Sequence, residues 1–249
     1  MKLIDKYEIL ENRHIHTNIY CMIIKTPIGS LSLPGQFVML YLENGVNLLP
    51  RPISIADATQ DTITIVYAVV GEGTKSLANM KNTISVMGPI GNGFSVNDNL
   101  SVAENIAIIG GGVGVPPMHF LTKRMKNPNH DIYLGFRDQP ILQEEFNQIT
   151  KNLYIATDTG NHGKKGNVID LLRESGKKYD VIYACGPTPM LKALQEYLSG
   201  TNTRLQISLE EHMACGIGTC VGCVVKTKDE IYEKICTKGP VFNGFEVVL

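Results

Sequence analysis

Four cysteines, Cys215, Cys220, Cys223 and Cys236, stand in the spacing C-x4-C-x2-C-x12-C. The first three follow the plant-type pattern that holds a [2Fe–2S] cluster, in which four thiolates share two irons. Gly216, Gly218 and Gly222 leave the backbone between them free to wrap tightly and to bring amides close to sulfur. The fourth ligand has a geometric route as well: residues 224–227 and 231–235 can pair as strands around Lys228, Asp229 and Glu230, returning Cys236 towards Cys223. A structural zinc ion is the alternative, but zinc ribbons usually supply their ligands as two short C-x2-C pairs. His212 reads as a neighbour of the cluster or a surface residue, and Cys21 as a small buried hydrophobe.

A second chemistry is written in glycines. Residues 106–117, IAIIGGGVGVPP, read as a strand entering a glycine loop (Gly110, Gly111, Gly112 and Gly114) and then a proline-opened helix, where free amides and the helix dipole favour phosphate. Val115 takes the third glycine position of the G-x-G-x-x-G fingerprint, so the loop alone is as compatible with a tight turn as with a nucleotide site. Cys185, Gly186 and Pro187 end another apolar run, YDVIYAC, and open a further helix. In a doubly wound sheet, that turn and the glycine loop fall on one ligand-binding edge. Upstream, Arg51, Pro52, Ile53 and Ser54 lie in an extended run, with the arginine able to reach a phosphate and the serine able to hydrogen-bond a ring. The stretch from Gly71 through Gly73 and Thr74 resembles a loop opening a helix, a second pyrophosphate cradle.

The elements that must position these groups show three textures. Short β-forming runs separated by Gly, Pro and Asn over about residues 7–89 predict a small antiparallel barrel. Apolar runs alternating with helical stretches after residue 99 predict a parallel sheet covered by helices. From about residue 206 a cysteine-rich segment follows. The expected architecture is thus β plus α/β and multidomain: a β-barrel at 1–99, an α/β nucleotide domain at 100–205 and a small [2Fe–2S] domain at 206–249.

With 249 residues, 43% of them hydrophobic, the chain can bury substantial cores. Its 23 basic and 24 acidic residues create no field that draws nucleic acid or an anionic membrane. No segment reads as a signal peptide or a membrane span, so residence in the cytoplasm is expected.

Taken in order, RPIS, GEGT, GGGVGVPPM, ACGPTPML and MACGIGTCVGC resemble the ferredoxin-reductase-like family over essentially the whole chain, and within it the electron-transfer subunits of NAD-dependent, type B dihydroorotate dehydrogenases. Ile53 stands where the broad family has the tyrosine of R-x-Y-S, and Cys215 where small subunits of related NADPH enzymes commonly have aspartate.

The resemblance implies FAD on Arg51, Pro52, Ile53, Ser54, Ala68, Val69 and Val70, with its phosphates at Gly73 and Thr74. It implies a cluster on Cys215, Cys220, Cys223 and Cys236, and exchangeable NAD at Gly110, Gly111, Gly112, Gly114, Cys185, Gly186 and Pro187. It also implies a partner, the FMN-containing catalytic subunit that oxidises dihydroorotate in pyrimidine synthesis, assembled as a heterotetramer of two copies of each chain. Electrons would run from that FMN through the cluster and FAD to NAD+, the cofactors carrying the redox work without a catalytic side chain. A reductase module for a sulfide- or ferredoxin-linked oxidoreductase is the rival enzyme, and a zinc-stabilised nucleotide-binding regulator the non-redox alternative. The residues leave NAD against NADP open, because Asp138 suits a ribose and Arg137 a phosphate. The loop at 213–219 is the expected partner contact.

Overall fold

The structure, a computed structural model, describes residues 4–42, 49–96, 105–126 and 130–249. Six antiparallel strands form the first unit: β1 (Ile4–His16), β2 (Ile19–Lys25), β3 (Phe37–Tyr41), β4 (Arg51–Ala58), β5 (Thr62–Ala68) and β6 (Thr83–Ile90), with helix α1 (Glu72–Ala78) after β5. They close in the order β1-β2-β5-β4-β3-β6. Closure removes free sheet edges and leaves an interior that Met22, Ile24, Val38, Leu40, Ile55, Ile63 and Ile65 fill completely. Each such side chain contributes roughly 1.5–3 kcal/mol of burial, which is how chemistry-poor residues hold the RPIS strand in place.

The second unit alternates strands and helices: β7 (Ile106–Gly111), α2 (Val115–Arg124), β8 (His130–Phe136), α3 (Gln143–Ile149), β9 (Leu153–Thr157), β10 (Lys164–Lys165), α4 (Val168–Glu174), β11 (Val181–Cys185), α5 (Thr188–Tyr197) and β12 (Arg204–Ser208). The C-terminal segment adds a hairpin of β13 (Val224–Lys226) and β14 (Tyr232–Lys234), then β15 (Val241–Asn243). The large sheet runs β10-β9-β8-β7-β11-β12-β15, parallel except where β15 returns antiparallel to β12. The chain leaves β7 in one direction through β8 and β9, then resumes on the other side of β7 with β11. That reversal opens a crevice at the strand ends of β7 and β11.

The barrel, parallel sheet and cysteine segment are those expected. The boundary expected at 99/100 lies outside the described residues. The one expected at 205/206 falls inside β12, because residues 204–208 pair with β11 as the last parallel strand. The units share a core, in which Phe37, Met39, Met87 and Ile90 of the barrel join Ile207 of the sheet and Met213, Cys223, Ile235 and Cys236 of the cysteine segment. Helix α2 ties the sheet to the barrel a second time: His119 Nδ1 lies 3.3 Å from the Ala56 carbonyl, Arg124 donates to the Ala58 carbonyl, and Lys123 pairs with Asp57.

Candidate functional site

The four cysteines are drawn together two by two. The Cys220 amide donates to Cys215 Sγ at 3.4 Å, and the two side chains also hydrogen-bond. Cys223 and Cys236 form the other hydrogen-bonded pair, brought face to face by the β13–β14 hairpin, whose closing bond runs from the Ile235 amide to the Cys223 carbonyl at 2.8 Å. Gly216 and Gly218 both take positive φ (67° and 79°), the conformation the tight wrap demands and one that side chains resist. Four thiols held as two adjacent pairs match the ligand set of a [2Fe–2S] cluster, two thiolates to each iron.

The electrostatics differ within the set. Burial raises the Cys215 thiol, but the amides of Cys220, Ile217 and Thr219 outweigh it and bring it down to about 6. Burial, then the neighbouring Cys223 thiol, push Cys236 up to about 11. Amides aimed at sulfur are the groups that would stabilise thiolates and tune a cluster's potential. Lys234 Nζ donates to the Gly218 carbonyl at 2.7 Å and so clamps the loop.

In the barrel, Arg51, Pro52, Ile53 and Ser54 occupy the half-buried start of β4. Gly73 lies against Arg51 so closely that a Cβ there would stand 2.0–2.3 Å from the guanidinium. The fold thus unites the arginine strand with the opening of α1. Ala68 ends β5, and the Asn18 side-chain amide fixes the Val69 carbonyl at 3.0 Å. Val70 is 81% exposed, and the Val70 and Gly71 amides donate to Thr74 Oγ1 at 2.9 and 3.1 Å. Thr74 therefore shapes the loop from within. A guanidinium beside a glycine-lined backbone, with nothing within 4 Å of a Cβ at Gly71, fits a pyrophosphate.

At the crevice, the glycine loop and the Cys185 turn touch. A Cβ on Gly114 would lie 2.4 Å from the Cys185 carbonyl oxygen, and one on Gly186 would lie 3.1 Å from Gly111. Gly110 pairs in register with Cys185, and Pro187 lies 3.0 Å from the Cβ position of Gly111. Gly112 has φ of +53° and open space around it. Burial, then the charge of Glu210, push the Cys185 thiol up to about 12, so it forms a neutral wall of the crevice rather than a nucleophile. Glu210, Lys234 and the contact of His119 with β4 carried no signal in the sequence, since each acts through a partner distant along the chain.

A closed flavin-reductase barrel, a nucleotide-type parallel sheet and paired thiols together define a ferredoxin-reductase-like electron carrier with an iron–sulfur element. A solved structure of an NADH-dependent reduced ferredoxin-NADP oxidoreductase, described for flavin-based electron bifurcation, superposes with a TM-score of 0.86 at 30% identity, over 97% of this chain and 89% of that one. Residues 210–248 match the iron–sulfur cluster binding domain of dihydroorotate dehydrogenase B. Proteins named dihydroorotate dehydrogenase B (NAD(+)), electron transfer subunit, are 40% identical in Caldanaerobacter subterraneus subsp. tengcongensis (98% of each chain) and in Bacillus velezensis (97% of each chain). The chain belongs to this family of electron transfer subunits. Among the described residues no helix is long and apolar enough to cross a membrane.

Proposed function

We propose that this chain carries electrons from the FMN of a dihydroorotate-oxidising catalytic subunit to NAD+, as one of two copies in a heterotetramer acting in pyrimidine synthesis. One observation carries the reading: the candidate sites are contiguous through the fold. The cysteine loop rests on β3, where a Cβ at Gly216 would lie 2.9 Å from Met39 Cγ. Met39 pairs in register with Pro52 of the arginine strand. That strand in turn holds α2, which springs from the glycine loop, through Ala56 and His119. When bound, FAD exchanges hydride with nicotinamide and single electrons with a [2Fe–2S] cluster.

The chain's own residues do the positioning. Cys215 and Cys220 would hold one iron, Cys223 and Cys236 the other. Arg51, Gly73 and the backbone around Val69–Val70 would seat the flavin's phosphates and ring edge. The Gly110–Gly114 loop and the Cys185–Pro187 turn would lay nicotinamide against it, with Cys185 excluding water. Ile217, Val221, Ile231 and Tyr232, all in the cysteine segment, are 55–73% exposed, an apolar face suited to the catalytic partner. Six free cysteines support residence in the reducing cytoplasm. Barrel, nucleotide unit and cysteine segment act as three functional units.

The test is an anaerobic visible spectrum with stepwise NADH, metal analysis of the same sample, and co-purification. Flavin and iron–sulfur bands that bleach with NADH, and recovery with a subunit that oxidises dihydroorotate, are expected. Colourless protein with stoichiometric zinc would overturn the reading, as would a stable partner inert towards dihydroorotate.

A further inference from the structure

One residue in the cysteine loop serves both thiol pairs. The Gly218 amide donates to Cys236 of one pair, and the next amide along, that of Thr219, donates to Cys215 of the other. Between those two amides stands the Gly218 carbonyl, which accepts from Lys234 Nζ at 2.7 Å. That carbonyl and the Thr219 N–H belong to one planar peptide unit. The lysine charge therefore sits at the acceptor end of a dipole whose donor end points at sulfur. The position is built, not casual. The Thr237 and Lys238 amides both donate to the Lys234 carbonyl, at 3.1 and 2.9 Å, and fix its backbone at the turn that carries Cys236. Gly218 has φ of +79°, and a Cβ there would lie 2.7 Å from Thr237 Cγ2, so the glycine is seated on that same turn. Lys234 is half-buried, and among the described residues no carboxylate pairs with it. A neutral side-chain amide could clamp the same carbonyl. What the ammonium adds is charge, held across one peptide unit within roughly 8 Å of the Cys215 sulfur.

We infer that Lys234 sets the reduction potential of the cluster, its ammonium acting through the Gly218–Thr219 peptide to stabilise the reduced form. The inference deepens the electron-transfer reading above and rests on it. One-electron reduction adds one negative charge to the thiolate-bound set, and in that reading the electron comes from the partner's flavin. A cation at fixed distance lowers the energy of the more negative form, and a polarised N–H donates more strongly to its sulfur. Lys234 is thus a positioning residue, touching no ligand and working through the peptide between. At that distance, with the screening of a half-buried site, the effect is on the order of tenfold in the ratio of reduced to oxidised cluster. For a one-electron couple that is about 59 mV.

The test uses the full chain with its flavin and cluster, titrated anaerobically against potential. The reduced cluster is followed by electron paramagnetic resonance and the flavin by visible absorption, with iron and acid-labile sulfide measured in each sample. Lys234→Gln keeps a donor for the carbonyl without the charge, Lys234→Met removes both, and Lys234→Arg keeps the charge. Lys234→Gln and Lys234→Met are expected to lower the cluster potential by about 59 mV, while Lys234→Arg stays within about threefold of wild type in the same ratio. The flavin potential should hold in all four proteins, and the gap between wild type and Lys234→Gln should narrow as salt rises. An unchanged cluster potential in Lys234→Gln at full iron content overturns the inference and leaves the electron-transfer reading standing. Loss of iron in both neutral variants, with Lys234→Arg retaining it, also overturns it, since the lysine is then a clamp needed for assembly. A wild type that takes up neither iron nor sulfide overturns both.

Discussion

Gly114→Ala is the sharpest test of how the crevice is built. The new Cβ would stand 2.4 Å from the Cys185 oxygen, 2.5 Å from its carbonyl carbon and 2.6 Å from the Gly186 nitrogen. An ordinary carbon–oxygen contact is about 3.4 Å, so the start of α2 and the end of β11 must separate by about 1 Å. All three obstructing atoms are backbone, and β11 is hydrogen-bonded on both sides, to β7 and β12, so it cannot yield locally. Overpacking of this kind costs about 1–3 kcal/mol. Gly114 has right-handed backbone (φ −79°, ψ −9°), which alanine accepts, so the chain-stiffening gain returns roughly 0.4–1 kcal/mol.

The net loss corresponds to a melting temperature about 2–8 °C lower for a chain of this size. The functional loss is larger, since a 1 Å misplacement can cost about a hundredfold in kcat/KM for NADH. Gly112→Ala is the control. Its φ of +53° makes alanine cost roughly 1–2 kcal/mol, but nothing lies within 4 Å to be pushed. Differential scanning calorimetry and stopped-flow bleaching by NADH should therefore show comparable losses of stability in the two variants and a much deeper kinetic loss in Gly114→Ala. If Gly114→Ala keeps NADH kinetics within about threefold of wild type, the contact between glycine loop and Cys185 turn does not shape the site.

Other outcomes follow from the same geometry. Cys220→Ser should lose most iron and acid-labile sulfide while keeping its flavin; unchanged iron content contradicts the ligand assignment. Gly73→Ala meets first the guanidinium of Arg51, the far end of a long side chain, so its melting temperature should hold while FAD affinity falls about tenfold or more by equilibrium titration. His119 is held below its ordinary pKa chiefly by burial. The unfolded chain therefore binds its proton first, and stability should fall as pH drops through about 6.5 towards the folded value, by at most about 1.4 kcal/mol per pH unit from this group. His119→Gln should flatten that slope in thermal melts, and an unaltered slope shows that other groups set it.

Much of the site was legible because its chemistry is local. The glycine loop and the RPIS strand each lie within a dozen residues and the four cysteines within 22, and alternation of short apolar runs revealed the barrel and the sheet. The β13–β14 hairpin was readable from two strand-like runs around Lys228, Asp229 and Glu230. What stayed hidden depends on distant pairing. The tail that follows Cys236 gives no sign that residues 241–243 will line up against β12. Nothing in Met39 or Met87 announces that the cysteine loop rests on them, and nothing in Asp138 announces that Thr159 and Asn161 will donate to it. The resemblance placed Ala68, Val69 and Val70 near a flavin, whereas their own residue types are silent.

The chain leaves the sheet at Ser208 and returns to it at Val241, with the Leu209 amide bonded to the Pro240 carbonyl at 2.9 Å, so the cysteine segment is a loop tied off at its base. Both ends of the segment are thus fastened by one seam: parting residues 241–243 from β12 would release the two roots of the cysteine loop together, so exposure of the thiols is governed by three residues that are not cysteines.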